Sequence, residues 1–156
     1  MRFGWLALLC ALGFLATATA TPAQAETRRE RANKELVLRM WQGVIVEASD
    51  EAVMRYIAPD YIQHNPNLPQ GRAGLLEGVA RLRNPPPGAP PHRVKRLIAS
   101  FAKGDLVALI WEFDRPDPER PGATYPGNGF DMFRVRDGLV IEHWDDVPKR
   151  SASESR

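Results

Sequence analysis

The chain has 156 residues and carries 21 Lys and Arg against 19 Asp and Glu, a formal net charge of +2. So even a balance leaves no basic footprint for nucleic acid or for an anionic membrane. The single cysteine, Cys10, lies in an N-terminal apolar run, so the rest of the chain has neither a disulfide nor a thiol nucleophile.

Arg2, an apolar run from Trp5 to Leu15, and Ala23-Gln24-Ala25 ahead of Glu26 follow the order of a secretory signal peptide. The run is too short for an ordinary membrane span. Leu8-Leu9 before Cys10 lacks the small residues of a lipoprotein site. Residues 1–25 are therefore expected to be cleaved after Ala25, giving a secreted or periplasmic protein with no membrane attachment. The alternative is a retained N-terminal anchor. What remains is one domain, 26–148, with a polar tail, 149–156. That length can bury roughly two-thirds of its unfolded surface.

From Glu26 to Ala48 the pattern is helical. Leu36, Val37, Met40, Trp41, Val44 and Ile45 recur at three- and four-residue spacing between charged residues. Thr27 to Lys34 is nearly all polar and is expected to fray. Asp50 is placed as the cap of a second helix, Glu51 to Ile57, which Pro59 ends. Tyr61 to Pro66 (YIQHNP) reads as short and extended, because Pro66 keeps Asn65 out of helical geometry. Gly71 to Arg83 is a third helix with Leu75, Leu76, Val79 and Leu82 inward. Asn84 to Pro91 is a stiff proline-rich connector. His92 to Phe101 is a strand, Lys103-Gly104-Asp105 a turn, and Leu106 to Phe113 an almost wholly apolar strand expected at the centre of a sheet. Asp114 to Asn128 holds Pro116, Pro118, Pro121 and Pro126 and is expected as an irregular loop, either a lid or a plain hairpin connection. Helices first and an antiparallel meander last argue an α+β fold, one curved sheet with helices on one face.

The last hairpin, Phe130 to Val147, carries most of the chemistry. A two-residue turn at Asp137-Gly138 pairs Arg136 with Leu139 and sets Met132 opposite His143. A three-residue loop, Arg136 to Gly138, with Gly138 left-handed in a bulge, pairs Val135 with Leu139 instead. The second register gathers Val135, Leu139, Phe133 and Ile141 on one face and sends Arg134 and Arg136 to the other, so it is the one expected. It sets Asp131 opposite His143 and Gly129 opposite Asp145. Asp131, His143 and Asp145 then lie together on the buried face, where ionisable groups must be paired or line a cavity.

These residues resemble a family. Helices, then YIQHNP, then a helix opened by GRAGLLEG, then strands ending in FDMFRV-DG-VIEHWD, are similar to the SnoaL-like branch of the nuclear transport factor 2-like superfamily. The resemblance spans Glu35 to Val147. It implies a cone-shaped barrel: a strongly curved, mostly antiparallel sheet wrapped over N-terminal helices, with a pocket at one end. It implies the chemistry of polyketide cyclases, isomerases or dehydratases that need no metal or organic cofactor. It also implies a homodimer through the outer sheet face, where Trp144 is expected. Asp145 matches the pocket carboxylate that serves as general acid/base. Asp131 matches the upstream polar position, and Gln63, His64 and Asn65 match the polar pocket wall.

The chemistry that fits is proton transfer at a carbon beside a carbonyl. Asp145 is the candidate base. His143, on the same face, orients it or acts as donor, and Asp131 fixes the imidazole tautomer. His64, also counted among the catalytic residues, supplies donors to substrate oxygens with Gln63 and Asn65. Tyr61, Trp111 and Phe133 are expected against the substrate, and Trp41 in the core or pocket wall. A desolvated carboxylate there tends towards a raised pKa. Neither cofactor nor metal is expected; the rival zinc site of His64, His92 and His143 lacks ligand spacing along the chain. Two functions compete. One is an exported, cofactor-independent acid/base enzyme (aldol-type cyclase, isomerase or dehydratase/hydrolase) for a small, carbonyl-containing, largely apolar substrate. The other is a non-catalytic small-ligand-binding or assembly module. Asp145 within hydrogen-bond reach of a cavity and of His143 favours the enzyme. For the cluster itself, the rival reading is a buried Asp131–His143 pair that merely closes the hairpin.

Overall fold

The computed structural model describes residues 25–85, 87 and 94–149, with the side chains of 94 and 95 left aside. The expected signal peptide, His92, most of the proline-rich connector and most of the tail lie outside the described residues. Among the described residues no helix is long and apolar enough to cross a membrane.

The chain forms α1 (Arg28–Trp41), a π-helical turn (Gln42–Val46), α2 (Asp50–Tyr56), β1 (Ile57–Gln63), α3 (Gly71–Arg83), β2 (Val94–Lys103), β3 (Leu106–Pro116), β4 (Thr124–Arg136) and β5 (Leu139–Asp145). The five strands make one curved, open sheet in the order β1-β5-β4-β3-β2. All neighbours are antiparallel except β1 and β5, which are parallel. The fold is thus α+β. β3 lies inside the sheet, but β4 takes the centre.

The start of α1 does not fray. Thr27 and Glu30 form a reciprocal capping box, and the second carboxylate oxygen of Glu30 accepts the Gly104 N–H at 2.8 Å. Those backbone donors hold the Glu30 carboxyl down to about 2. A charge pattern that reads as a solvated end is therefore tied to the β2–β3 turn. The long first helix changes to π geometry at Gln42. Gly43 lies where α2 crosses, and a Cβ there would stand 2.6 Å from that of Ala52. The second helix is capped by the Ser49 hydroxyl rather than by Asp50, whose carboxylate takes Arg83 instead.

Two further expectations are corrected in the sheet. The stretch 114–128 is mostly strand: β3 and β4 stay paired out to Pro116 and Thr124, leaving only 117–123 as loop. The two prolines inside the strands, Pro116 and Pro126, sit towards the far end of that arm, where unpaired N–H positions are tolerated. The final hairpin takes the other register. Asp137 and Gly138 both have positive φ, 51° and 76°, the signature of a two-residue type I′ turn, and Arg136 pairs with Leu139. The parity change occurs inside β5. Val135 pairs with Val140 but Arg134 with Glu142, so Ile141 is the extra residue of a bulge. Val140 and His143 consequently face the same way.

The core lies between the concave sheet face and the helices. Val37, Met40, Val44, Val53, Ile57, Val79, Val107, Leu109, Val135 and Val140 are all buried there. The bulge leaves the polar end of β5 continuous with this apolar face.

Candidate active site

β1 and β5 run parallel with Gln63 beside His143, and the His64 N–H donates to the His143 carbonyl at 3.0 Å. Alternation along β1 then decides which side chains reach the core face. Tyr61, Gln63 and Asn65 are buried; Ile62 and His64 face outward. From β5 the core face receives His143 and Asp145. From β4 it receives Asp131 and Phe133, since Asp131 pairs with Asp145 and Phe133 with His143.

His143 is the hub of a connected polar network. Its Nε2 lies 2.9 Å from Asp131 Oδ1 and its Nδ1 2.9 Å from Gln63 Oε1. Gln63 Oε1 also accepts the Asn65 backbone N–H at 2.9 Å, while Gln63 Nε2 donates to the Tyr61 hydroxyl at 3.2 Å. Asp145 Oδ2 accepts from Asn65 Nδ2 at 2.6 Å, and Asp145 Oδ1 accepts the Val147 N–H at 3.2 Å. Asn65 Oδ1 in turn takes the Asn67 N–H at 2.8 Å, an Asx turn that the following proline pre-sets. Asp145 is therefore aimed by Asn65, not by His143 as expected, although Asp131, His143 and Asp145 each bring a ligating atom within 4.8 Å of the others. That spacing is the only one among the described residues that would suit a cation. Its carboxylates are already committed to His143 and Asn65, which favours a hydrogen-bonded cluster over a metal centre.

Electrostatics follow from burial. Desolvation pushes the Asp131 carboxyl up, against the hydrogen bond and charge of His143. Burial pushes the Tyr61 hydroxyl far up, and the nearby charges of Asp145 and Asp131 add to it. Tyr61 thus stays a phenol, accepting from Gln63 and keeping its own proton to donate.

An aromatic wall adjoins the cluster. Phe133 stacks on His143 at 4.6 Å, Trp41 meets Phe133 edge-on at 6.2 Å, and Trp111 stacks on Trp41 at 4.6 Å. The indole N–H groups of Trp41 and Trp111 are buried without a hydrogen-bond partner. A buried donor without a partner is costly. Sequence reasoning named Trp111 but offered no signal for the two orphan donors, which depend on packing.

One catalytic candidate is removed. His64 faces the outer side of the sheet, its Nε2 2.8 Å from Glu142 Oε1 and its ring stacked on Trp144 at 4.9 Å. Glu142 also takes Arg134 Nε at 2.9 Å, so this is a separate surface network. The three-histidine zinc site fails for the same reason, since His64 and His143 lie on opposite faces and His92 is outside the described residues.

The profile of the SnoaL-like domain matches residues 22–143. This chain belongs to the SnoaL-like family. Similar solved structures include a protein from Jannaschia sp. CCS1 that carries the name SnoaL-like polyketide cyclase. It has TM-score 0.59 and 22% identity, over 80% of this chain and 92% of that one. TsrD from Streptomyces laurentii has TM-score 0.57 and 20% identity, over 75% of this chain and 89% of that one. TerC, co-crystallised with polyporic acid, has TM-score 0.53 and 20% identity, over 73% of this chain and 89% of that one. At these identities the likeness is one of fold, the nuclear transport factor 2-like arrangement of the SnoaL-like family. No curated protein matches the chain.

Proposed function

We propose that this SnoaL-like protein is an exported, cofactor-independent acid/base enzyme of the cyclase, isomerase or dehydratase/hydrolase type. Its substrate is a small, carbonyl-containing, largely apolar molecule. The observation that carries the reading is the Asp145 carboxylate, held by the Asn65 amide at 2.6 Å beside the Asp131–His143 pair and backed by an aromatic wall. Asp145 takes the proton from the carbon next to the carbonyl, and the C–H electron pair moves into the enolate. The Tyr61 hydroxyl and the orphan indole N–H groups are donors suited to the oxygen that gains charge. In an aldol closure the enolate carbon then attacks a second carbonyl, the C–C bond forms, and the alkoxide oxygen receives a proton. TerC was crystallised with polyporic acid, which supports a small organic ligand for the present site as well.

The decisive experiment measures exchange of α-protons in D2O across a panel of apolar ketones and diketones. Wild-type protein exchanges them, and Asp145→Asn lowers the rate by about 10²–10⁴-fold, the usual contribution of a positioned base. An unchanged rate in Asp145→Asn sinks the assignment.

A non-catalytic binding module is the second reading, and two observations favour it: Asp145 is held by Asn65 rather than by His143, and the network is closed on itself. Gln63, Asn65 and His143 direct their hydrogen bonds largely at one another, as a purely structural network does. On that reading the ligand binds and no exchange is seen in any variant.

A further inference from the structure

The orientation of the Gln63 amide is fixed by a group that has no choice. The Asn65 backbone N–H can only donate, so the Gln63 atom it meets at 2.9 Å is the oxygen. The same oxygen faces His143 Nδ1 at 2.9 Å. A carbonyl oxygen cannot donate, so Nδ1 must carry the proton. The other ring nitrogen, Nε2, faces Asp131 Oδ1 at 2.9 Å. Two protonation states satisfy that contact: a neutral ring accepting from a protonated Asp131, or an imidazolium donating to an ionised one. Both contain one proton on the line between Oδ1 and Nε2. An ionised Asp131 beside a neutral ring would set two acceptors face to face, either there or at Gln63. The Gln63 contact is buried and the Asp131 contact is largely so, and an unmade hydrogen bond is costly where little water can replace it.

We infer that Gln63 is a positioning residue that holds His143 as the Nδ1–H tautomer, and thereby keeps a proton in the contact between Asp131 and His143. The pair is the acid of the site and Asp145 its base. The groups around the ring agree with this assignment. Asp131 comes from β4, Asp145 and Asp146 from β5 and its end, and Tyr61 and Gln63 from β1; Phe133 stacks on the ring itself. The charges of Asp145 and Asp146 add to burial in opposing ionisation of Asp131, which favours retention of a proton. The catalytic consequence rests on the acid/base reading of the site. Asp145 takes a proton from carbon while the pair gives its proton to the new alkoxide oxygen. An O–H bond forms, the pair becomes anionic, and exchange with solvent returns the site to its starting state.

The test is nitrogen-detected NMR of the histidine rings at pH 7, in the ¹⁵N-labelled protein and in Gln63→Ala and Asp131→Asn. Wild-type His143 is expected to show a protonated Nδ1. Gln63→Ala removes the acceptor, and the ring proton moves to Nε2, facing Asp131. Asp131→Asn, whose amide donates to Nε2, retains Nδ1–H and leaves Nε2 bare. A wild-type ring protonated on Nε2 alone, with Nδ1 bare, overturns the inference. Should Gln63→Ala not fold, wild type and Asp131→Asn decide the matter between them. With a substrate in hand, Gln63→Ala lowers kcat at least tenfold on the alkaline side of the pH profile, with KM little changed. Failure to find any turnover removes the enzymatic reading but leaves the tautomer result standing.

Discussion

Asn65 shows how much one side chain does in this site. Its carbonyl oxygen closes its own turn, and its amide holds the Asp145 carboxylate at 2.6 Å. A hydrogen bond to a charged group contributes about 1.5–3 kcal/mol, and here it sets where the carboxylate points. Asn65→Ala is expected to lower kcat about 10–100-fold while KM changes little, because it misaims the base without removing it. Steady-state kinetics on any substrate the wild type turns over will show this; an equal rise in KM with kcat intact would mean that Asn65 binds substrate instead. His64 stands one position before Asn65 and illustrates the opposite fate. Alternation along an extended chain sends it to the outer face, and it pairs with Glu142 there. Its neighbours in sequence said nothing about that, since a polar trio reads the same from either side of a sheet.

Elements are tied together by groups that look like surface charge. Glu30 belongs to the first turn of α1, yet its carboxylate also accepts the Gly104 N–H in the β2–β3 turn. Its folded pKa lies near 2 against an ordinary 4.5, so the folded state binds fewer protons than the unfolded chain between those values. The sign follows: this contribution to stability is complete above about pH 4.5 and is lost as pH falls towards 2. Glu30→Gln is expected to be less stable than wild type at pH 7, and the gap should narrow in urea melts taken from pH 5 down to 2. A constant gap over that range would mean that the carboxylate charge is not what joins helix to turn. The β5 bulge at Ile141 works at the same scale. It lets a tight type I′ turn coexist with a buried Val140 and a buried His143, which a regular strand could not do.

At the scale of the molecule, the outer sheet face carries exposed aromatic side chains beside its charged pairs. Register places Phe101, Ala108, Met132 and Trp144 in one row across β2, β3, β4 and β5, with Ala99, Ile110 and Phe130 in the next. Phe101 and Phe130 are 54% and 49% exposed. The homodimer that the family resemblance implies would use this face, and the proposed export would remove the first 25 residues. Phe130→Glu should convert a dimer to a monomer in sedimentation velocity while leaving the far-ultraviolet circular dichroism unchanged. A wild-type protein that is already monomeric at high concentration removes the dimer proposal.

Local pattern was enough for α3, whose Leu75 and Val79 pack inward as spaced, and for the helices-then-strands order that makes the fold α+β. Alternation alone puts His143 and Asp145 on one face; that Asp131 joins them depends on the register across the hairpin. Yet the route to that face was different. The turn is I′ and a bulge inside β5 restores the parity, and nothing local distinguishes a bulge in a turn from a bulge in a strand. What Gln63 and Asn65 hold, where His64 goes, and that the polar start of α1 is pinned all depend on contacts between residues some eighty positions apart or on a turn more than seventy residues away. Composition and spacing carry the periodicity of each element. Only the folded chain, with its parallel β1–β5 pairing, decides which polar side chains meet and therefore which of them can share a proton.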